Sequence, residues 1–67
     1  MSIKDALLVV RNGGTLQISD NSGKAWVIPM GVRGVKQVRN VSASAAEKVV
    51  NKFTLTSDAQ GVRSYKV

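Results

Sequence analysis

The chain contains neither histidine nor cysteine, so the commonest general base and the thiol nucleophile are both absent. Serine is plentiful, but a serine nucleophile needs a base and an orienting group, and no Ser–Lys pair stands out. Four carboxylates remain: Asp5, Asp20, Glu47 and Asp58. No two are close in sequence, and each reads as a helix-cap or turn residue. Paired-carboxylate hydrolysis and metal ligation are therefore not expected. Gly13-Gly14 lacks the further glycines and the lysine of a phosphate loop, and reads as a helix C-cap. These residues point to binding rather than catalysis, with no cofactor and no metal.

Ten Lys and Arg residues against the four acids give a net charge of +6. That excess favours encounter with DNA, RNA, an anionic membrane or an acidic protein surface, although charge also serves solubility alone. The cations fall into groups. Arg33, Lys36 and Arg39 follow Val32, Val35 and Val38 in a triplet segment. Lys48 and Lys52 share one helix face with Asn51, and Arg63 and Lys66 lie near the end of the chain. Asn can read adenine through paired hydrogen bonds, and Lys can read guanine or hold phosphate. Arg33, Lys36, Arg39, Arg63 and Lys66 would contact the nucleic-acid backbone and position the protein. Singly, each reads more readily as a solvated charge; the set together marks a nucleic-acid-binding surface. Trp26 and Tyr65 are types that stack on unpaired bases. In a small domain scarce aromatics are usually core, which is the assignment for Tyr65 and Phe53, while Trp26 stays open.

The elements that must position these residues follow from pattern. Ser2-Ile3-Lys4-Asp5 resembles a capping box, and Ile3, Ala6, Leu7 and Val10 form one stripe, predicting a helix from Ile3 to about Asn12. Thr15 to Ile18 and Lys24 to Ile28 flank the turn-rich Asp20-Asn21-Ser22-Gly23, a hairpin closed off by Pro29. A four-residue loop places Ile18 opposite Ala25 and puts Trp26 on the other face from Leu16. One more loop residue would put Trp26 opposite Leu16, in the core. The valine triplets predict a short helix from about Arg33 to Asn40, with a twisted strand as the competitor. Ser44-Ala45-Ala46-Glu47 reads as a second capping box, with Ala46, Val49, Val50 and Phe53 as the apolar stripe behind it. Ser42 and Ser44 supply an N-cap, and their hydroxyls could also meet phosphate. Finally, pairing Ser57 with Gly61 would set Leu55 opposite Arg63 and Phe53 opposite Tyr65 in a terminal hairpin.

The stretch Val41 to Phe53, followed by that hairpin, resembles the turn, recognition helix and wing of a winged helix-turn-helix DNA-binding domain. The whole is similar in style to the small accessory proteins of bacteriophages. The resemblance implies an α+β fold in the order helix, β-hairpin, short helix (or strand), helix, β-hairpin. It also places Lys48, Asn51 and Lys52 toward the major groove.

With 67 residues and 43% hydrophobic content, one folded domain spanning 1–67 is expected. Its apolar set is dominated by Val, Ala, Leu and Ile, so the core is thin and homodimerisation would thicken it. The lack of cysteine favours a reducing compartment. Ala6 to Val10 is too short for a signal peptide, or for a bilayer span of about 20 residues. The expectation is a cytoplasmic, non-membrane protein that binds nucleic acid, DNA before RNA, as a regulator or accessory factor. The alternative is a modulator or inhibitor docking a basic face onto an acidic surface of a larger enzyme, such as a host protein. A third reading is a subunit whose final hairpin adds strands to a partner.

Overall fold

The computed structural model describes residues 2–30 and 38–67. In chain order these form α1 (Ile3–Arg11), β1 (Thr15–Ser19), β2 (Lys24–Ile28), β3 (Arg39–Val41), α2 (Ala43–Val49), a 3-10 turn (Val50–Lys52), β4 (Thr54–Ala59) and β5 (Val62–Lys66). The five strands make one antiparallel sheet in the order β3-β2-β1-β5-β4. The fold is α+β, with two α-helices and strands as its dominant element.

Helix α1 forms where the apolar stripe and its cap agree. The Ser2 side chain accepts a hydrogen bond from the Asp5 backbone N–H at 3.3 Å, and Ala6 and Val10 are buried. Asn12 ends the helix, and Gly13, at φ 98°, turns the chain into β1.

The first hairpin adopts the four-residue loop. Ile18 pairs with Ala25 and Gln17 with Trp26, so Trp26 lies on the opposite face from Leu16. Leu16, Ile18, Ala25, Val27 and Tyr65 share one face. Ala6, Val10 and Ala46 pack on that face, with Ile3, Val9, Val41, Val50 and Phe53 around the rim. Both helices therefore cover the same side of the sheet. The aliphatic core is small, as composition implies, and three of its eight members are alanines.

One alternative is decided and two expectations need correction. Of the two alternatives for the valine-triplet segment, its described part takes the strand and not the helix: Arg39–Val41 pairs with β2, and Val41 sits opposite Ala25. The rest of that segment, 33–37, lies outside the described residues. β-branched valine fits a pleated ladder better than a short helix. The element directly before α2 is thus a strand and not the first helix of a helix-turn-helix.

The second helix also starts earlier than its capping box implies. Ser42 is the N-cap, accepting from the Ala45 N–H at 3.4 Å, and Ser44 Oγ lies 3.0 Å from Ser42 Oγ. The chain leaves β3 at Val41, so Ser42 is the first residue free to cap, and Glu47 turns to another partner. Ser42→Ala should cost about 1 kcal/mol in a denaturation experiment, and Ser44→Ala clearly less.

The terminal hairpin is tighter than expected. Gln60 and Gly61 form a two-residue turn with φ of 55° and 76°, the paired positive angles that suit the twist of a hairpin. A register irregularity between Leu55 and Ser57 then sets Leu55 opposite Tyr65 and Asp58 opposite Arg63. Phe53 lies before the strand and packs against the core from the end of the 3-10 turn.

Candidate nucleic-acid interface

The exterior of α2 and its 3-10 extension carries the three residues expected there. Lys48 lies in the last turn of α2, and Asn51 and Lys52 follow in the 3-10 turn that extends it. All three are exposed. The apolar residues between them point the other way: Ala46 is fully buried, and Val49 and Val50 are half-buried. Burial of that stripe fixes which way the cations face.

The helix has one acid, Glu47, one residue before Lys48, and it pairs with neither lysine. Its carboxylate accepts a short hydrogen bond from Arg63 Nη2 on β5. Arg63 also forks onto Asp20 in the first hairpin turn, with Nε to Oδ2 at 3.1 Å and Nη2 to Oδ1 at 2.8 Å. Its Nη1 donates to the Tyr65 hydroxyl at 3.0 Å, and the guanidinium lies 6.0 Å from that ring's centroid. Glu47 first and Asp20 second raise its pKa further above the ordinary arginine value, so it stays charged. One planar cation thus ties α2, β5 and the β1–β2 turn together.

Arg63 was expected to meet a phosphate, but its hydrogen-bonding fork is occupied from within the protein. Its side chain is only 23% exposed. Arg63→Gln should lower the melting temperature measured by circular dichroism, and by more than Lys66→Gln, because it strands two carboxylates beside each other. Lys66 is exposed, and its Nζ donates to the Gly13 carbonyl at 2.9 Å just beyond the end of α1. Arg39 is exposed on β3, in register with Val27 on the helix side of the sheet. Arg33 and Lys36 lie outside the described residues.

Among the described residues the only ion pairs are the two made by Arg63. Lys48 and Lys52 are left facing solvent. No group of His, Cys, Asp and Glu suited to a metal ion occurs among the described residues, and no described helix is long and apolar enough to cross a membrane. No family model, curated protein or solved structure matches this chain.

Two features were not anticipated. One is the Arg63 hub, whose partners lie 43 and 16 positions away in sequence, so no local pattern marks it. The other is a polar ladder on the helix-free face. Trp26 Nε1 donates to Gln17 Oε1 at 2.7 Å, and Gln17 Nε2 donates to Ser64 Oγ at 3.0 Å. Gln17 between Leu16 and Ile18 was its available signal, since alternation places it opposite to the core.

Proposed function

We propose that this protein is a nucleic-acid-binding module, not an enzyme, that meets DNA before RNA with the exterior of α2 and its 3-10 extension. The observation that carries the reading is the sorting of charge. Asp20 and Glu47 are both paired with Arg63, while Lys48 and Lys52 flank Asn51 on an exposed face with no ion pair among the described residues. Two exposed lysines on consecutive turns suit phosphate contacts or base edges, and Asn51 supplies a donor–acceptor pair suited to adenine. Arg39 adds a backbone contact on the same side of the sheet.

Docking needs only α2 and its 3-10 extension to approach a groove, with the β4–β5 hairpin following it in the chain. With β3 directly ahead of it, α2 would enter backed by a sheet rather than by a preceding helix. A regulatory or accessory role fits a module of this size.

The test is anisotropy of a labelled duplex titrated with protein across a salt series. Micromolar or tighter binding that weakens steeply with salt is expected, with a slope near 0.9 per phosphate neutralised. Absence of binding at low salt from a protein carrying +6 would reject the proposal.

One observation favours a protein partner as the second reading. Leu8 is 56% exposed on the outer side of α1, in a shallow groove lined also by Lys4, Asp5, Leu7 and Arg11. An apolar centre with two cations and one carboxylate at its rim suits a protein surface of mixed, predominantly acidic charge.

A further inference from the structure

The sheet has one face under α1 and α2, and no described element covers the other. Gln17, Trp26, Asn40 and Ser64 form a row across that second face: Trp26 is opposite Gln17 and Asn40, and Gln17 is opposite Ser64. We propose that this face is a second binding surface, separate from the α2 exterior, which takes single-stranded nucleic acid by stacking a base on Trp26.

Three observations support it. First, Trp26 is half-buried and pinned. The Trp26–Gln17–Ser64 hydrogen bonds run across β2, β1 and β5 and hold the indole toward the sheet centre. A ring fixed before binding loses little freedom on contact, which is what a stacking platform requires.

Second, the face carries no carboxylate. Asp5 and Glu47 are on the helices, Asp20 is bound to Arg63, and Asp58 pairs in register with Arg63 on the helix side. Lys24 lies two residues along β2 from Trp26, on the same side, and Lys66 shares that side on β5. A polyanion approaching here meets cations, amides and hydroxyls, and no carboxylate.

Third, the sheet's edges are poor alternatives as docking elements. β3 is three residues long, and β4 carries a register irregularity and Asp58, both features that discourage strand addition. A sheet face presenting an aromatic on β2, beside the central strand, fits an unpaired base, whereas a duplex hides its base faces within the stack. A second copy of the chain is the other occupant to consider, and it would bring an equal +6 against this one.

Trp26 is the sole tryptophan, so its emission reports on this face alone. The experiment titrates the full chain with a dT oligomer and with a duplex of equal length, following Trp26 fluorescence and the anisotropy of labelled strands together. Quenching by the oligomer that tracks its binding curve is expected. Trp26→Leu should weaken oligomer binding on the order of tenfold, with Trp26→Phe between, while duplex binding is unchanged. Oligomer binding without a change in Trp26 emission would overturn the proposal, as would unaltered affinity in Trp26→Leu. So would an emission change that follows protein concentration alone, the signature of a second copy. The wild-type titration decides the matter even where a variant folds poorly. Loss of duplex binding on substitution of Lys48 and Lys52, with oligomer quenching retained, leaves this proposal standing independently of the first.

Discussion

Reversing Lys48 and Lys52 together, as Lys48→Glu/Lys52→Glu, is expected to lower duplex affinity on the order of 100-fold at about 50 mM salt. Each neutralised phosphate contributes about 0.9 to the logarithmic salt slope, which makes two contacts worth roughly two decades between 50 mM and 1 M. The slope itself should fall by about 1.8, and reversal adds repulsion beyond simple loss. Both side chains are exposed and make no ion pair among the described residues, so the fold should shift by no more than about 0.5 kcal/mol. The variant therefore separates binding from stability. Unchanged affinity and slope would remove the α2 exterior from the interface.

The second large effect is on stability. Leu16 is 1% exposed and lies in register between Val27 and Tyr65 at the centre of the sheet. Leu16→Ala should cost about 2–5 kcal/mol through lost burial and the cavity left behind. At roughly 0.05–0.15 kcal/mol per residue, a chain of this length has a total stability of only about 3–10 kcal/mol. Leu16→Ala should therefore lose a large fraction of the total stability, read as a fall in the urea midpoint. Leu8→Ala, on the exposed side of α1, is the control and should change stability by under about 0.5 kcal/mol. Comparable losses in the two variants would contradict the assignment of the core.

Local signals gave most of the elements. Ser2 and the stripe through Ala6 and Val10 specify α1, and Asp20 to Gly23 specify the first hairpin. Ala46, Val49 and Val50 specify the buried side of α2, and with it the side that presents Lys48, Asn51 and Lys52. Where several registers or caps were chemically equivalent, local signals could not choose. Ser42 and Ser44 both cap well, and the choice depends on where β3 releases the chain. The first hairpin's register decides whether Trp26 enters the core, and the answer comes from burying Ile18 and Ala25 beneath the helices. The terminal hairpin's register follows from the two-residue turn at Gln60-Gly61 together with the irregularity after Leu55.

The strand at Arg39–Val41 shows the limit of periodicity. Valine every third residue suggested helical geometry, yet three residues suffice for an edge strand once β2 offers its free hydrogen-bonding side. Arg63 shows the limit of charge counting. As a cation in a basic chain it joins the candidate interface, and only the tertiary structure turns it inward onto Asp20 and Glu47. The same contact strengthens the case for Lys48 and Lys52, because it pairs the helix's one carboxylate with Arg63 and with neither lysine.

The most direct measurement is an amide chemical-shift map of the isotope-labelled protein during titration with a short DNA duplex at low salt. Saturable shifts centred on Lys48, Asn51 and Lys52, reversed by added salt, are the predicted result. Shifts confined to the outer side of α1 around Lys4, Leu8 and Arg11, or none at saturating duplex, would contradict the claim that the α2 exterior meets nucleic acid.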